Sequence, residues 1–296
     1  MTLPRIASSD EGRATCPQHY GRGEAKSGYD QGKGGIINES ERLLASLDQR
    51  MHNLDQLRPL PPETSRSLAD ALRVRVTYTS NAIEGNHLTL AETQVVLEGI
   101  TVGGKPLRDH LEAIDHAEAW DAMIRWSQSD QPLTPWLLRS LHALVLCRSQ
   151  PGEAGHYREV PVAISGSTLI PPDPLSVPGE VDDLFAQWHQ SEGHPVAVGA
   201  EMHARLMAIH PFVDGNGRTG RLLLNLWLMR HEYLPALIEP ADRLQYYAAL
   251  SSADRGDTNP IIQVVAHGVA RTLTVYEEVL HLSPGPHVPK PPHSHL

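Results

Sequence analysis

Apolar residues recur at helical intervals through almost the whole middle of the chain, and that one period leaves little room for anything but a bundle of packed helices. The stretch ESERLLASLDQRMHNLDQL from Glu39 repeats Leu at helical steps and stops at Pro59-Leu60-Pro61-Pro62, where proline removes an amide donor and clashes with the preceding turn. A second stretch begins near Glu63 and passes through Leu68, Leu72 and Val76 to Gly85, a residue suited to the left-handed end of a helix. LTLAETQVVLEG, RDHLEAIDHAEAWDAMIRW and TPWLLRSLHALVL follow, the last opening on Thr134-Pro135, a good N-cap and first-turn pair. VPGEVDDLFAQWHQ, VGAEMHARLMAIH, GRLLLNLWLMRHEYL, DRLQYYAALSSA and PIIQVVAHGVARTLTVYEEVL complete the series.

One interval departs from this period. In HYREVPVAISGSTLIPPDP, from His156, Val160, Val162 and Ile164 alternate, Ser165-Gly166-Ser167 supplies a turn, and Thr168-Leu169-Ile170 precedes two prolines. Period two on either side of a turn predicts a short β-hairpin standing on the helical body. The ends read differently. Residues 1–37 are nearly free of aliphatic side chains after Ile6, and residues 283–296 are rich in Pro and His, so both are expected to be loose.

The chain has 296 residues and carries 25 Lys and Arg against 35 Asp and Glu, a formal charge of −10. That balance argues against a surface built to neutralise a polyanion such as a nucleic acid. Cys16 and Cys147 are the two cysteines; they are far apart, which excludes a disulfide framework and a structural zinc site and points to a reducing compartment. No apolar run reaches the roughly 20 residues of a membrane span, and the start lacks the pattern of a secretory signal. The expectation is a cytoplasmic protein without a membrane partner.

Between two of the helical stretches lies His210-Pro-Phe-Val-Asp214-Gly-Asn-Gly-Arg218-Thr-Gly-Arg221. Its glycines satisfy G-x-G-x-x-G, but a dinucleotide fingerprint requires a preceding buried strand and here the preceding residues are helical in period. A Walker loop fails because no G-K-[ST] follows. The physics shared by those loops survives: small residues at a helix start present backbone amides to an anion, and the helix dipole favours negative charge there. Arg218 and Arg221, three apart, share a helical face and suit phosphate forks. Asp214 is a hard carboxylate able to hold Mg2+ between phosphates, and His210 is a proton acceptor at neutral pH. His203 and His210 lack a third ligand at zinc spacing.

These twelve residues resemble the complete signature of the Fic (Fido) family. The resemblance implies a mainly α fold, a Fic-type helical bundle with a short β-hairpin flap, and transfer of AMP from ATP to a Tyr, Thr or Ser hydroxyl of a target protein. It implies that His210 deprotonates the hydroxyl and that Asp214 holds Mg2+. Gly215, Asn216 and Gly217 would cradle the α- and β-phosphates, and Arg218 and Arg221 would reach the β- and γ-phosphates.

Upstream, Thr79-Ser80-Asn81-Ala82-Ile83-Glu84-Gly85-Asn86 places Ser80 and Glu84 four apart, hence on one helical face. It is similar to the inhibitory motif of one class of the family. By that resemblance Glu84 pairs with Arg221 and occupies the group that should receive the γ-phosphate; the same glutamate can instead position water to remove AMP from a modified protein. The hairpin corresponds to the family's flap, with Ser167, Thr168, Leu169 and Ile170 expected to dock the target segment by strand addition. Asn225, Tyr246 and Tyr247 resemble residues near the adenine, although the two tyrosines suit a core equally well; Asp254 stands where some relatives have Asn.

The resemblance divides the chain into a leader (1–37), N-terminal helices including the inhibitory one (38–106), a catalytic core (107–282) and a tail (283–296). The expected partners are ATP and a protein substrate, with self-modification and a homodimer also allowed. Transfer of another nucleotide, removal of AMP, and a nucleotide-sensing interaction protein without turnover are the alternatives. A nucleic-acid-binding appendage is not expected, since the last helix runs straight into the proline-rich tail.

Overall fold

The computed structural model describes residues 39–164 and 166–281. The leader and the tail of the sequence reading, and Cys16 with them, lie outside the described residues. Within those residues the helical period becomes ten α-helices: α1 (Glu39–Asp55), α2 (Pro62–Ile83), α3 (Leu90–Leu97), α4 (Leu107–Ser127), α5 (Pro135–Val145), α6 (Val177–Gln190), α7 (Pro195–Ile209), α8 (Asn216–Arg230), α9 (Arg243–Ala253) and α10 (Asn259–Val279). Local chemistry fixes several ends. Thr134 accepts from the Leu137 amide at the start of α5, and Thr89 and Glu92 form a reciprocal capping box on α3. Gly85, at φ +94°, turns the chain just past α2.

Helices α7 and α8 form the centre. Leu206, Met207, Leu223 and Leu226 face one apolar cluster, which takes in Trp120, Met123, Leu137 and Leu141 of α4 and α5 and Leu184 and Trp188 of α6. Ala200, Ala204, Leu224 and Leu228 face a second, built from Leu47, Met51 and Leu54 of α1 and Ile261, Val265, Val269 and Leu273 of α10. The two helices run antiparallel at close range. A Cβ on Gly220 would come 2.4 Å from the Met207 terminal methyl, and one on Gly199 would come 2.7 Å from the Trp227 ring. Glycine at both positions therefore lets the hairpin close, and this closeness fixes the loop 210–215 between the helices.

Helix α1 is locked onto α10 by a buried fork: Arg50 Nε and Nη2 donate to the two carboxylate oxygens of Glu277 at 2.9 and 2.8 Å, and Nη2 also donates to Thr274. No described helix is long and apolar enough to cross a membrane.

The expected hairpin is the departure. No strand occurs among the described residues, and the segment after Arg158 is two irregular arms about a turn in which the Ser167 amide donates to the Ile164 carbonyl at 3.1 Å, with Gly166 at φ +78°. Pro161, Pro171 and Pro172 lie in those arms and cannot donate to a ladder. A side chain ties the arms instead: the Arg158 guanidinium donates to the Val160 carbonyl at 3.3 Å and the Pro172 carbonyl at 2.6 Å. Val160 and Ile170 stand out to solvent, Ile170 at 88% exposure, whereas Val162 and Ile164 are half-buried.

Candidate active site

The site gathers at the N-terminus of α8. His210 closes α7 in a left-handed conformation, φ 50° and ψ 60°, which turns the chain sharply into the loop. Its Nδ1 lies 3.3 Å from the Met207 carbonyl. A carbonyl only accepts, so Nδ1 carries the proton and Nε2 keeps its lone pair. Burial pushes the His210 pKa down, against the opposing pull of the Met207 carbonyl and the Glu84 and Asp214 carboxylates, so the ring is neutral at pH 7.

Asn216 staples the loop into shape: its Oδ1 accepts from the Phe212 amide at 3.0 Å and its Nδ2 donates to the Phe212 carbonyl at 2.8 Å. Its side chain thus serves the loop, and a phosphate cradle here is left to the backbone amides. Gly215 adopts φ +77° as the helix cap, a conformation that strains any residue with a Cβ.

Asp214 stands at the rim, its side chain 36% exposed. Its Oδ2 accepts from Arg108 Nη2 at 2.9 Å and from the Gln150 amide, and its Oδ1 accepts from the Gly215 amide at 2.6 Å and lies 3.3 Å from Arg218 Nη2. Burial alone would raise its pKa, but Arg218, Gln150, the Gly215 amide and Arg108 together hold it below the usual value.

The two arginines point to different neighbours. Arg221 is buried; Nε donates to Ser80 Oγ at 3.0 Å, and Nη2 donates to the Ser80 carbonyl and to Glu84 Oε1, both at 2.8 Å. Its Nη1 has no hydrogen-bond partner. Burial opposes the charge, yet Glu84 and Tyr246 outweigh it and raise the Arg221 pKa. Arg218 is 2% exposed, with Nη1 3.3 Å from Glu112 Oε1 in an ion pair without hydrogen-bond alignment, and its Nε is also unpartnered. Buried guanidinium donors without acceptors are costly, and they are the donors an incoming phosphate satisfies. Gly217 completes the arrangement: a Cβ there would lie 2.1 Å from Glu84 Oε1, so only glycine lets that carboxylate lie against the first turn of α8.

Every residue of the twelve-residue signature with an assigned role, and both residues of the Ser80–Glu84 pair, therefore meet around one helix end. The adenine assignments fare differently. Asn225 is buried, its Oδ1 accepting from the Ala236 amide at 2.8 Å and its Nδ2 donating to the Ala236 carbonyl at 3.5 Å. Tyr246 is buried beneath Arg221 and hydrogen-bonded to His203 Nε2 at 2.8 Å. Both fill the core. Tyr247 is partly buried and donates to the Ile83 carbonyl at 3.4 Å, beside the turn that carries Glu84. Asn225→Ala would leave the Ala236 amide buried without an acceptor, so we expect a loss of about 2 kcal/mol of stability, read as a lower denaturation midpoint. An unchanged midpoint would return Asn225 to the pocket.

Several site residues carry no local sequence signal. Buried His142 accepts from the Gly155 amide on Nδ1 at 3.0 Å and donates from Nε2 to the Asp214 carbonyl at 2.9 Å, with its ring stacked on Phe212 at 3.6 Å. Burial lowers its pKa to about 4, which keeps this neutral tautomer. Arg158, 2% exposed, donates from Nε to the His210 carbonyl at 2.9 Å and so joins the flap arms to the catalytic loop. Neither residue lies near the signature in sequence, so no spacing rule could have found them.

The site is thus a helical scaffold that presents a histidine lone pair, an acidic rim and two buried arginines around a glycine-rich helix start. Comparison narrows this: the chain matches the model of the Fic/DOC family over residues 132–228. It is 34% identical over 245 residues to a protein adenylyltransferase Fic of Nematostella vectensis, covering 80% of this chain and 56% of that one. It is 36% identical over 241 residues to the protein of the same name in Drosophila grimshawi, covering 80% and 49%. The chain thus spans about half the length of the curated relatives it matches. Among solved structures, Fic-1 (134–508) of C. elegans superposes with a TM-score of 0.73 at 29% identity, covering 82% of this chain and 73% of that one. A Fic-domain signalling protein of Bacteroides thetaiotaomicron gives 0.72 at 27%, covering 81% and 99%.

Proposed function

We propose that the chain is a protein adenylyltransferase held in an inhibited state by Glu84. The observation that carries this reading is the occupied Arg221: Glu84 and Ser80 take two of its nitrogens, and the third is buried without a partner at the helix end beside a neutral histidine.

In the productive complex the target hydroxyl oxygen attacks the α-phosphorus of ATP. His210 Nε2 takes the proton, the bond to the β-phosphate breaks, and pyrophosphate leaves. The backbone amides of Gly215, Asn216 and Gly217 and the dipole of α8 face the phosphates, and Arg218 and Arg221 receive the outer ones; Asp214 would hold Mg2+, which would supply positive charge to the phosphates when bound. The residues fit that ion: Mg2+ is commonly held by one or two carboxylates together with substrate phosphates, and Asp214 offers one rim carboxylate. The arms after Arg158, with Ser167, Thr168, Leu169 and Ile170 at and beyond the turn, offer backbone to the target segment. Self-modification and a homodimer are part of the same reading, as is a cytoplasmic location, with which an exposed free thiol at Cys147 agrees.

A second direction, hydrolytic removal of AMP, uses the same carboxylate as the group that orients the water. Release of AMP from a modified target that is lost in Glu84→Gln would support it.

The lowered His210 pKa sets the pH dependence. Because burial lowers it, the base form of His210 predominates at pH 7, so the acid limb of kcat/KM for transfer should be centred below the ordinary histidine pKa of about 6.5. A profile measured on the Glu84→Gly variant checks this; an acid limb centred above pH 7 would contradict it.

A further inference from the structure

We propose that Arg108 is a tethered cation that occupies Asp214 in the nucleotide-free protein and must leave it before a divalent ion can bind. This rests on the reading of Asp214 as the metal carboxylate.

Arg108 lies in the first turn of α4, far in sequence from the catalytic loop. Its Nε donates to Glu112 Oε1 at 2.8 Å, one helical turn on, and its Nη2 donates to Asp214 Oδ2 at 2.9 Å. Glu112 is buried and fixed from two other sides, by Asn86 Nδ2 at 3.0 Å on Oε2 and by Arg218 at 3.3 Å. A rigid carboxylate therefore aims the Arg108 fork at the metal carboxylate. With Gln150 on the same oxygen, Oδ2 already has two donors. A hard divalent ion needs those lone pairs at roughly 2.0–2.1 Å and cannot share them with a guanidinium.

The two arginines on Asp214 differ in one decisive respect. Arg218 is buried and has nowhere to go, whereas the Arg108 side chain is 59% exposed and can swing into water while its stem stays on α4. Arg108 is thus the removable partner. Glu112 also joins it to Asn86, two residues beyond Glu84, so the turn bearing the inhibitory carboxylate and the cation on Asp214 share one anchor.

The test is the Mg2+ dependence of ATP affinity, measured by calorimetry on the full chain carrying Glu84→Gly and His210→Asn, which binds without turnover. The quantity is the ratio of affinities with Mg2+ and with a chelator. Mg2+ should tighten binding, and Asp214→Asn should remove the tightening. Arg108→Ala should enlarge the ratio about threefold, the size of a partly exposed ion pair. Arg108→Lys should enlarge it too, because one ammonium lacks the fork that spans Glu112 and Asp214 together. A ratio unchanged by Arg108→Ala but abolished by Asp214→Asn would sink the role of Arg108 and leave the metal reading standing. Tightening that survives Asp214→Asn would overturn both. A wild-type ratio in Arg108→Lys would reduce the effect to long-range charge and overturn the occupancy.

Discussion

Replacing Glu84 with glycine is expected to raise the rate of AMP transfer by about ten- to a hundredfold, since it removes the partly exposed carboxylate that occupies the buried Arg221, a charge-assisted hydrogen bond of the kind worth about 1.5–3 kcal/mol. The backbone tolerates the change: Glu84 caps α2 at φ −86°, and the following Gly85 makes the turn. Arg221 stays aimed, because Ser80 still accepts from Nε and Nη2 through its hydroxyl and its carbonyl. What changes is that Nη2, and the already unpartnered Nη1, become available to a phosphate. Glu84→Gln should fall between the two, as an amide oxygen can accept the same hydrogen bond without the charge. Initial rates with labelled ATP and a protein acceptor measure both variants; a Glu84→Gly rate within twofold of wild type would remove the inhibitory role.

The second large effect belongs to His210. Asparagine is the informative replacement, because position 210 sits at φ 50°, a region asparagine tolerates better than alanine. His210→Asn in the Glu84→Gly background should lower transfer by about a thousandfold, the middle of the range for a general base. ATP affinity should stay within about twofold of the parent, since the ring's one hydrogen bond is to the Met207 carbonyl and the anchor on Arg158 is a backbone carbonyl. A parallel loss of binding and turnover would mean that the histidine shapes the pocket and does not take the proton.

The helices were legible because burial at period 3.6 is written residue by residue, as Leu43, Leu47, Met51 and Leu54 of α1 show. The signature was legible because its chemistry lies within twelve consecutive residues, and Glu84 because Ser80 to Asn86 resembles the family's inhibitory motif, the i, i+4 spacing by itself fixing only a shared face. The flap was legible as an alternation but not as a sheet, since whether two arms pair depends on donors that Pro161, Pro171 and Pro172 lack and on the distant guanidinium that replaces them. Tyr246 illustrates the ambiguity of an aromatic at a helical position: pattern alone does not separate a pocket wall from a core side chain, and its hydroxyl on His203 decides for the core. His142, Arg158, Arg108 and Glu112 were invisible for a common reason. Each acts on the loop from another element, and a single sequence records no such pairings. The formal charge of −10 likewise gave no hint that the guanidinium groups of Arg218 and Arg221 would be buried together at one helix end.

The most direct measurement is the fate of the phosphate label when the Glu84→Gly variant is incubated with Mg2+, a protein acceptor and ATP labelled at either the α or the γ position. Label on protein from the α position, absent from the γ position and lost in the His210→Asn variant, is the predicted result. Label from the γ position alone would make the chain a phosphoryl transferase and contradict the assignment of the α-phosphorus to His210 and the glycine-rich helix start.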